Sequence, residues 1–211
     1  MSIPLLGYVC FAVSFVPAVV GLFRYGKMST PMRLLTALCA LAVLNDVTSL
    51  ILGRMKINNQ LLANVYVLVE LVLITAVYYF STVAGRFKRA LLGSASLFVL
   101  VWLVDVTFFD PLTEMNSTMA AISRLFLIAQ SFMMITVVSR DSAGQLSKRA
   151  VFWIASGVIL YSTGTFIVAA FGSRLLDINV SFFVIAWHIN WSLLIVTNLF
   201  YTKGMLCEYQ T

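Results

Sequence analysis

Five ionisable side chains stand inside otherwise apolar runs: Asp46 in LNDVTSL, Glu70 in ANVYVLVEL, Asp105 in LVDVTF, Arg124 in AISRLFL, and His188 in AWHINW, the only histidine of 211 residues. A charge placed in hydrocarbon costs at least about 2.5–3.5 kcal/mol, so each is by default a functional hypothesis. On a helix, Asn45 and Asp46 share a face with Ser49. Tyr66, four residues before Glu70, points the same way, whereas Asn64 is turned by about 120°. His188 shares a face with Trp191 and Ser192, with Trp187 and Asn190 on adjacent faces. A midplane carboxylate must be protonated, paired or hydrated. Glu70 and His188 are the groups whose protonation an interior site moves most easily, which makes them a candidate switch pair. Arg124 would contact a ligand, snorkel outward, or neutralise Asp105 or Asp46. Asp105, close to the end of its segment, also reads as a hydrated helix terminus.

The elements that must hold these residues follow from composition. At 61% hydrophobic and 10% charged, the chain departs from the roughly 45–50% apolar and about 25% charged content of soluble domains. Seven runs reach the roughly 20 apolar residues that a bilayer crossing needs, approximately 3–23, 34–52, 61–83, 90–109, 119–139, 150–171 and 178–201. The expected fold is therefore all-α, a seven-helix transmembrane bundle forming one domain. The first run lacks a preceding basic residue and exceeds the usual length of a signal-peptide core, so it is expected to stay as a helix. Arg24, Lys27, Arg33, Arg86, Lys88, Arg89, Arg140, Lys148, Arg149 and Lys203 fall at one end of the bundle. Arg54, Lys56 and Arg174 fall at the other, with Asp110 and Glu114 in a loop that has no cation. The positive-inside rule then puts the amino terminus outside and the carboxyl terminus in the cytoplasm. The net charge of +6 is topology and not a nucleic-acid footprint.

With these boundaries Glu70 lies roughly 15 Å and His188 roughly 16 Å below the outer surface, both near the midplane. Asp46, Asp105 and Arg124 lie nearer the outside. The inner half holds only neutral polar groups such as Gln130, Ser156 and Asn198. Clustering at one depth on five helices points to a shared outward-facing cavity, with Asp46, Tyr66, Glu70, Arg124, His188 and Asn190 as its ligand-binding residues. Ser156, Gly157, Thr163 and Gly164 place small residues on one face of the sixth helix, as in close helix packing. Pro4 marks the start of the first helix and Pro17 a kink in it.

The same residues exclude several chemistries. Microbial-type retinal linkage needs a lysine inside the last helix, and Lys27, Lys56, Lys88, Lys148 and Lys203 all fall in loops or at the boundary. One histidine is too few for a seven-helix zinc hydrolase, and Asp46, Glu70 and His188 have no metal-ligand signature in their spacing. There is no Gly-rich phosphate loop, no cysteine pair and no Cys–His partnership, so neither cofactor nor metal is expected. Cys10, Cys39 and Cys207 are odd in number, and a disulfide framework is not expected. Cys207 is the thiol placed for acylation, and Asn116-Ser117-Thr118 spells a glycosylation acceptor. The loops are short, the longest being SRDSAGQLSKR, so the chain acts inside the bilayer or through loops of about ten residues, a length common in connections. No internal repeat of the carrier type is visible.

Two resemblances can be drawn. LNDVTSL around Asp46 is similar to membrane lysoplasmalogenases, small lipid hydrolases, but Thr163 and Gly164 stand where a second acidic residue would be expected, which argues against an enzyme. ANVYVLVEL (63–71), FWIASGVILYSTGTF (152–166) and WHINWSLLIVTNLFYTKGMLC (187–207) together resemble small seven-helix membrane proteins of bacteria that are similar to the membrane sensor modules of histidine kinases. The resemblance covers about a third of the chain, at Tyr66, Glu70, Tyr161, Gly164, His188, Asn190 and Asn198. It implies a sensing or signalling role in bacteria but no ligand. Taken with the outward-facing cavity, the expected function is a receptor or sensor in a bacterial inner membrane that binds a small ligand or proton and signals to a separate protein. A proton-coupled or small-solute transporter, or an accessory subunit of a membrane complex, is the alternative.

Overall fold

The computed structural model describes residues 4–109, 117–141, 146–178 and 180–207. Among them the regular structure is helical: α1 Leu5–Arg24, α2 Thr30–Arg54, α3 Gln60–Ser81, α4 Gly85–Phe108, α5 Ser117–Asp141, α6 Ala150–Ile178 and α7 Val180–Cys207, with short 3-10 turns at Tyr25–Lys27 and Leu146–Lys148. All seven α-helices contain a stretch long and apolar enough to cross a bilayer, so the chain is an integral membrane protein. Backbone amides and carbonyls have no water to bond in hydrocarbon, which is why apolar runs of this length close their hydrogen bonds within a helix. Pro4 caps α1 and Pro31 sits in the first turn of α2, where the missing N–H leaves no bond unmade. Pro17 is buried within α1, which continues past it to Arg24.

The sequence boundaries need one correction. Residues 172–177, expected as a loop holding Arg174, belong to α6, and α7 begins at Val180. At about 1.5 Å per residue, α6 and α7 are each about 42–43 Å long against about 33 Å for α3. The apolar content alone could not show this, because the helix continues through polar residues beyond the bilayer-spanning part. Asp110, Glu114 and the Asn116 acceptor lie outside the described residues.

The helices close into a ring in which α1 packs on α2 and α7, α2 on α3, α3 on α5, α5 on α6, and α6 on α7. Helix α4 packs against α3 and α5, which also meet each other, so the ring closes without it. One end of this bundle carries the α1–α2, α3–α4 and α5–α6 connections with their lysines and arginines, and is called here the basic end.

Packing density differs along the bundle axis. Most of the largest fully buried side chains, among them Met32, Tyr78, Leu91, Met134, Ile154 and Met205, come from the half nearer the basic end. In α2, Met32, Leu35, Thr36, Leu38 and Cys39 are buried, whereas every residue from Asn45 to Leu50 keeps intermediate exposure. Polar bonds tie the tight half together. Gln130 accepts from Thr75 Oγ1 (2.9 Å) and donates to Ser94 Oγ (2.9 Å), and the Tyr78 hydroxyl meets Ser131 Oγ at 2.7 Å. These contacts fix the register of α3, α4 and α5. Small residues set the other seams: Gly157 faces Phe200 and Thr197, Gly164 faces Leu193, and Gly204 lies against Ala150 and Ile154. Cys10, Cys39 and Cys207 are buried thiols, and Cys207 Sγ lies 3.7 Å from the Ser147 carbonyl, so it is not presented for acylation.

The tightest seam joins α1 and α2. A Cβ on Gly21 would stand 2.6 Å from Thr36 Cγ2 and closer still to its hydroxyl oxygen. Thr36 is 1% exposed and donates to the Met32 carbonyl at 2.8 Å, so it cannot swing aside freely. Gly21→Ala is therefore expected to destabilise the protein by about 1–3 kcal/mol. Gly93→Ala, where a Cβ meets open space, is expected to be neutral, and thermal unfolding in nanodiscs compares the two directly.

Candidate functional site

An ion pair crosses the bundle interior. Arg124 Nη1 donates to Glu70 Oε2 at 2.9 Å, joining α5 to α3, and the two side chains keep 12% and 11% exposure. The guanidinium carbon also lies 4.7 Å from the centroid of the Tyr161 ring, which brings in α6. The register explains the pairing. Helices α3 and α5 run in the same direction, and the Thr75–Gln130 bond sets the offset that brings residue 124 level with residue 70. Contact between α3 and α5 thus gives Arg124 a carboxylate, and that carboxylate is neither Asp46 nor Asp105, the two partners considered from sequence.

Further groups converge on this pair. The Tyr66 phenol lies within electrostatic reach of Glu70, Asp46, Tyr161 and Tyr201, and the Tyr161 phenol within reach of Arg124, Glu70, Asp46 and Cys10. Contributions therefore come from α1, α2, α3, α5, α6 and α7. Asp46 enters because it lies two turns beyond Cys39 on the buried stripe of α2. Asn45 Oδ1, Ser123 Oγ, Ser162 Oγ, Asn190 Oδ1 and Asn198 Nδ2 are buried without a hydrogen-bond partner. A buried polar atom left unpaired costs about 1–3 kcal/mol, so five of them in one apolar bundle mark an interior not organised for stability alone.

The pair sits where the packing changes. Leu71, Ile74 and Leu127, just on its basic-end side, are buried to 1% exposure or less, while Tyr66, Val67, Leu68 and Val69 on its other side keep intermediate exposure. Glu70 and Arg124 therefore lie at the layer where the exposure of the α3 residues changes.

His188 does not join them. Its Nδ1 bonds the Val184 carbonyl of its own helix at 2.7 Å, and its ring lies edge-on to Trp191 at 5.4 Å. It lines an open, mostly apolar groove with Val184, Ile185, Ile189, Ser192 and Leu193. Depth separates it too. With Gly157 against Thr197 and Phe200 and Gly164 against Leu193, Tyr161 comes level with Ile195, leaving His188 about 10 Å further from the basic end at about 1.5 Å per residue. Counting from a seventh segment that began at residue 178 placed His188 too deep, because α6 and α7 overshoot the other helices. Asn190 is half-buried with its carbonyl oxygen unpaired, and Asp105 lies in the last turn of α4. Among the described residues no three His, Cys, Asp or Glu side chains group as metal ligands.

Tyr161 and Tyr201 are the interior groups that charge-based reading passed over. Tyr161 follows Ile154 and Val158 on the buried stripe of α6, and that spacing was the available signal.

Breaking a buried pair by removing one partner costs about 3–5 kcal/mol, because the other charge is stranded. Arg124→Met is expected to lose stability on that scale, and the double variant Glu70→Gln/Arg124→Met to recover much of it. A thermal double-mutant cycle in nanodiscs measures the coupling. Comparison with protein-family models, curated proteins and solved structures finds no match for this chain.

Proposed function

We propose that this chain is a membrane receptor or sensor in which a small ligand or proton enters a crevice on the side of the Glu70–Arg124 pair away from the basic end and acts on that pair. The observation that carries the reading is the position of that pair, held by a single hydrogen bond at the boundary between the more tightly and the less tightly packed half of the bundle. The contact uses one N–H and one carboxylate oxygen and leaves the rest of the guanidinium fork for a competitor. A ligand or proton that binds better to the broken than to the closed pair shifts the population accordingly. Arg124 and Tyr161 lie on α5 and α6, so the change would travel to the α5–α6 connection at the basic end, where a separate partner protein reads it.

The excess of lysine and arginine at the basic end supports placing that end in the cytoplasm. The crevice then faces outward, with the amino terminus outside and the carboxyl terminus inside. The similarity of the Tyr66–Glu70, Tyr161 and Asn198 stretches to sensor modules supports a bacterial inner membrane and a signalling role. A transporter needs a path through both halves. Tyr78, Phe98, Leu127, Met134 and Ile154, each fully buried, fill the half in which that path would continue.

The proposal can be tested with an environment-sensitive fluorophore on Lys148→Cys, in protein whose native cysteines have been replaced. Glu70→Gln, which breaks the ion pair, is expected to change the emission of the label, while solute flux in proteoliposomes stays at background. Flux that Glu70→Gln abolishes would instead identify a transporter.

A further inference from the structure

The groove beside His188 lies apart from the ion pair. It has a volume of about 550 Å³ and is lined by Val184, Ile185, His188, Ile189, Ser192 and Leu193 of α7, a size within the roughly 300–1,000 Å³ of small-molecule sites. Leu193 also packs against Gly164, which puts that part of the groove at the α6–α7 seam. Val184, Ile185, Ile189 and Ser192 are exposed on the bundle surface. In a membrane that surface meets hydrocarbon, so the groove is open to molecules dissolved in the bilayer.

The polar atoms of the groove are few and mostly committed. The Val184 carbonyl can only accept, so His188 Nδ1 carries the proton in their 2.7 Å bond, and the neutral ring then presents Nε2 as an acceptor. Nε2 has no hydrogen-bond partner among the described residues. Ser192 Oγ spends its own proton on the His188 carbonyl at 2.9 Å. Trp191 meets the imidazole edge-on at 5.4 Å, and the Trp187 ring lies 6.0 Å from that of Trp191. His188 is the only titratable group among the described lining residues. Its depth follows from the helix lengths. Glu70 is ten residues, about 15 Å, from the start of α3 at Gln60. His188 lies about 10 Å beyond the level of Tyr161, and so about 5 Å inside the level where α3 ends. That is where tryptophans gather in membrane proteins and where lipid head groups meet their chains.

We propose that this groove binds a single-chain lipid acid, its carboxyl O–H donating to His188 Nε2 and its alkyl chain lying along Ile189 and Leu193, deeper in the bilayer. One acceptor at the interface above an apolar trough is complementary to one donor at the head of one chain. A carboxylic acid supplies that proton, and if the proton passes to Nε2 the carboxylate is still held by the imidazolium N–H. A lipid ester has no proton to donate, and a phosphodiester head is a fixed anion for which the described lining offers no lysine or arginine. The site is independent of the receptor reading, because His188 does not reach the Glu70–Arg124 layer.

The test uses the full chain in phosphatidylcholine nanodiscs at neutral pH. Trp102→Phe and Trp153→Phe leave Trp187 and Trp191 as the only tryptophans, and bromine quenches indole only at short range. Dibromostearic acid is expected to quench saturably and to be displaced by excess stearic acid, whereas its methyl ester gives only a shallow linear loss. His188→Leu is expected to weaken binding of the acid by about tenfold or more, equivalent to about 1.4 kcal/mol, while His188→Gln, which keeps an acceptor, retains part of it. Ser192→Phe, which leaves His188 in place and fills the groove, is expected to weaken binding too, and it carries the test if His188→Leu does not fold. Quenching that does not saturate, that the methyl ester matches, or that both His188→Leu and Ser192→Phe leave unchanged overturns the proposal and makes the groove an ordinary lipid-facing surface.

Discussion

A guanidinium held on one carboxylate oxygen inside a bilayer-spanning bundle is the contact around which this structure is arranged. Each charge alone would be costly in hydrocarbon, and even together they contribute less to stability than well-packed apolar side chains of the same volume would. The pair is affordable because α3 and α5 touch directly, because the Tyr161 ring covers the guanidinium, and because both side chains keep a little exposure. Shifting the α3–α5 register by one residue would carry Arg124 off the Glu70 face, so the neutral bonds of Gln130 to Thr75 and Ser94 bear indirectly on the ion pair as well.

Two kinds of packing meet at that layer. Toward the basic end, close-packed aliphatic and aromatic side chains and small-residue seams leave little room, and interiors of this density transmit displacement rather than absorb it. On the other side Asp46, Tyr66 and their neighbours are only partly buried, and several polar atoms are unpaired. A chain selected for stability alone would fill that half with leucine. Two carboxylates, the Tyr66 and Tyr161 rings and the unpaired Asn45 and Asn190 amides stand there instead, and in the proposed reading the sealed half converts an exchange of partners into helix movement.

The seven helices were legible in the sequence because hydrocarbon thickness sets a minimum apolar length that these runs meet. Glu70 was legible as an interior carboxylate for the same reason. Its partner was not, since helix spacing leaves Arg124 equally able to reach Asp46 or Asp105. What decides the matter is that the ring closes without α4, a long-range fact that no local pattern encodes. His188 misled for a different reason. Its depth was counted from a helix end that lies beyond the other helices, and α7 is polar over so wide an arc that its inward face cannot be read from spacing. Tyr161 carried a readable signal, its place on the buried stripe of α6, but a search led by charge passes over an uncharged ring.

Accessibility along the bundle axis tests the central claim most directly. In protein with the native cysteines replaced, Tyr66→Cys lies in the loose half, and Thr75→Cys and Ser131→Cys lie in the sealed half. A charged, membrane-impermeant thiol reagent should modify the cysteine at position 66 only when applied from the face opposite the basic end, and those at positions 75 and 131 from neither face. Modification of position 75 or 131, or of position 66 from the basic end, would contradict a crevice floored by the Glu70–Arg124 pair.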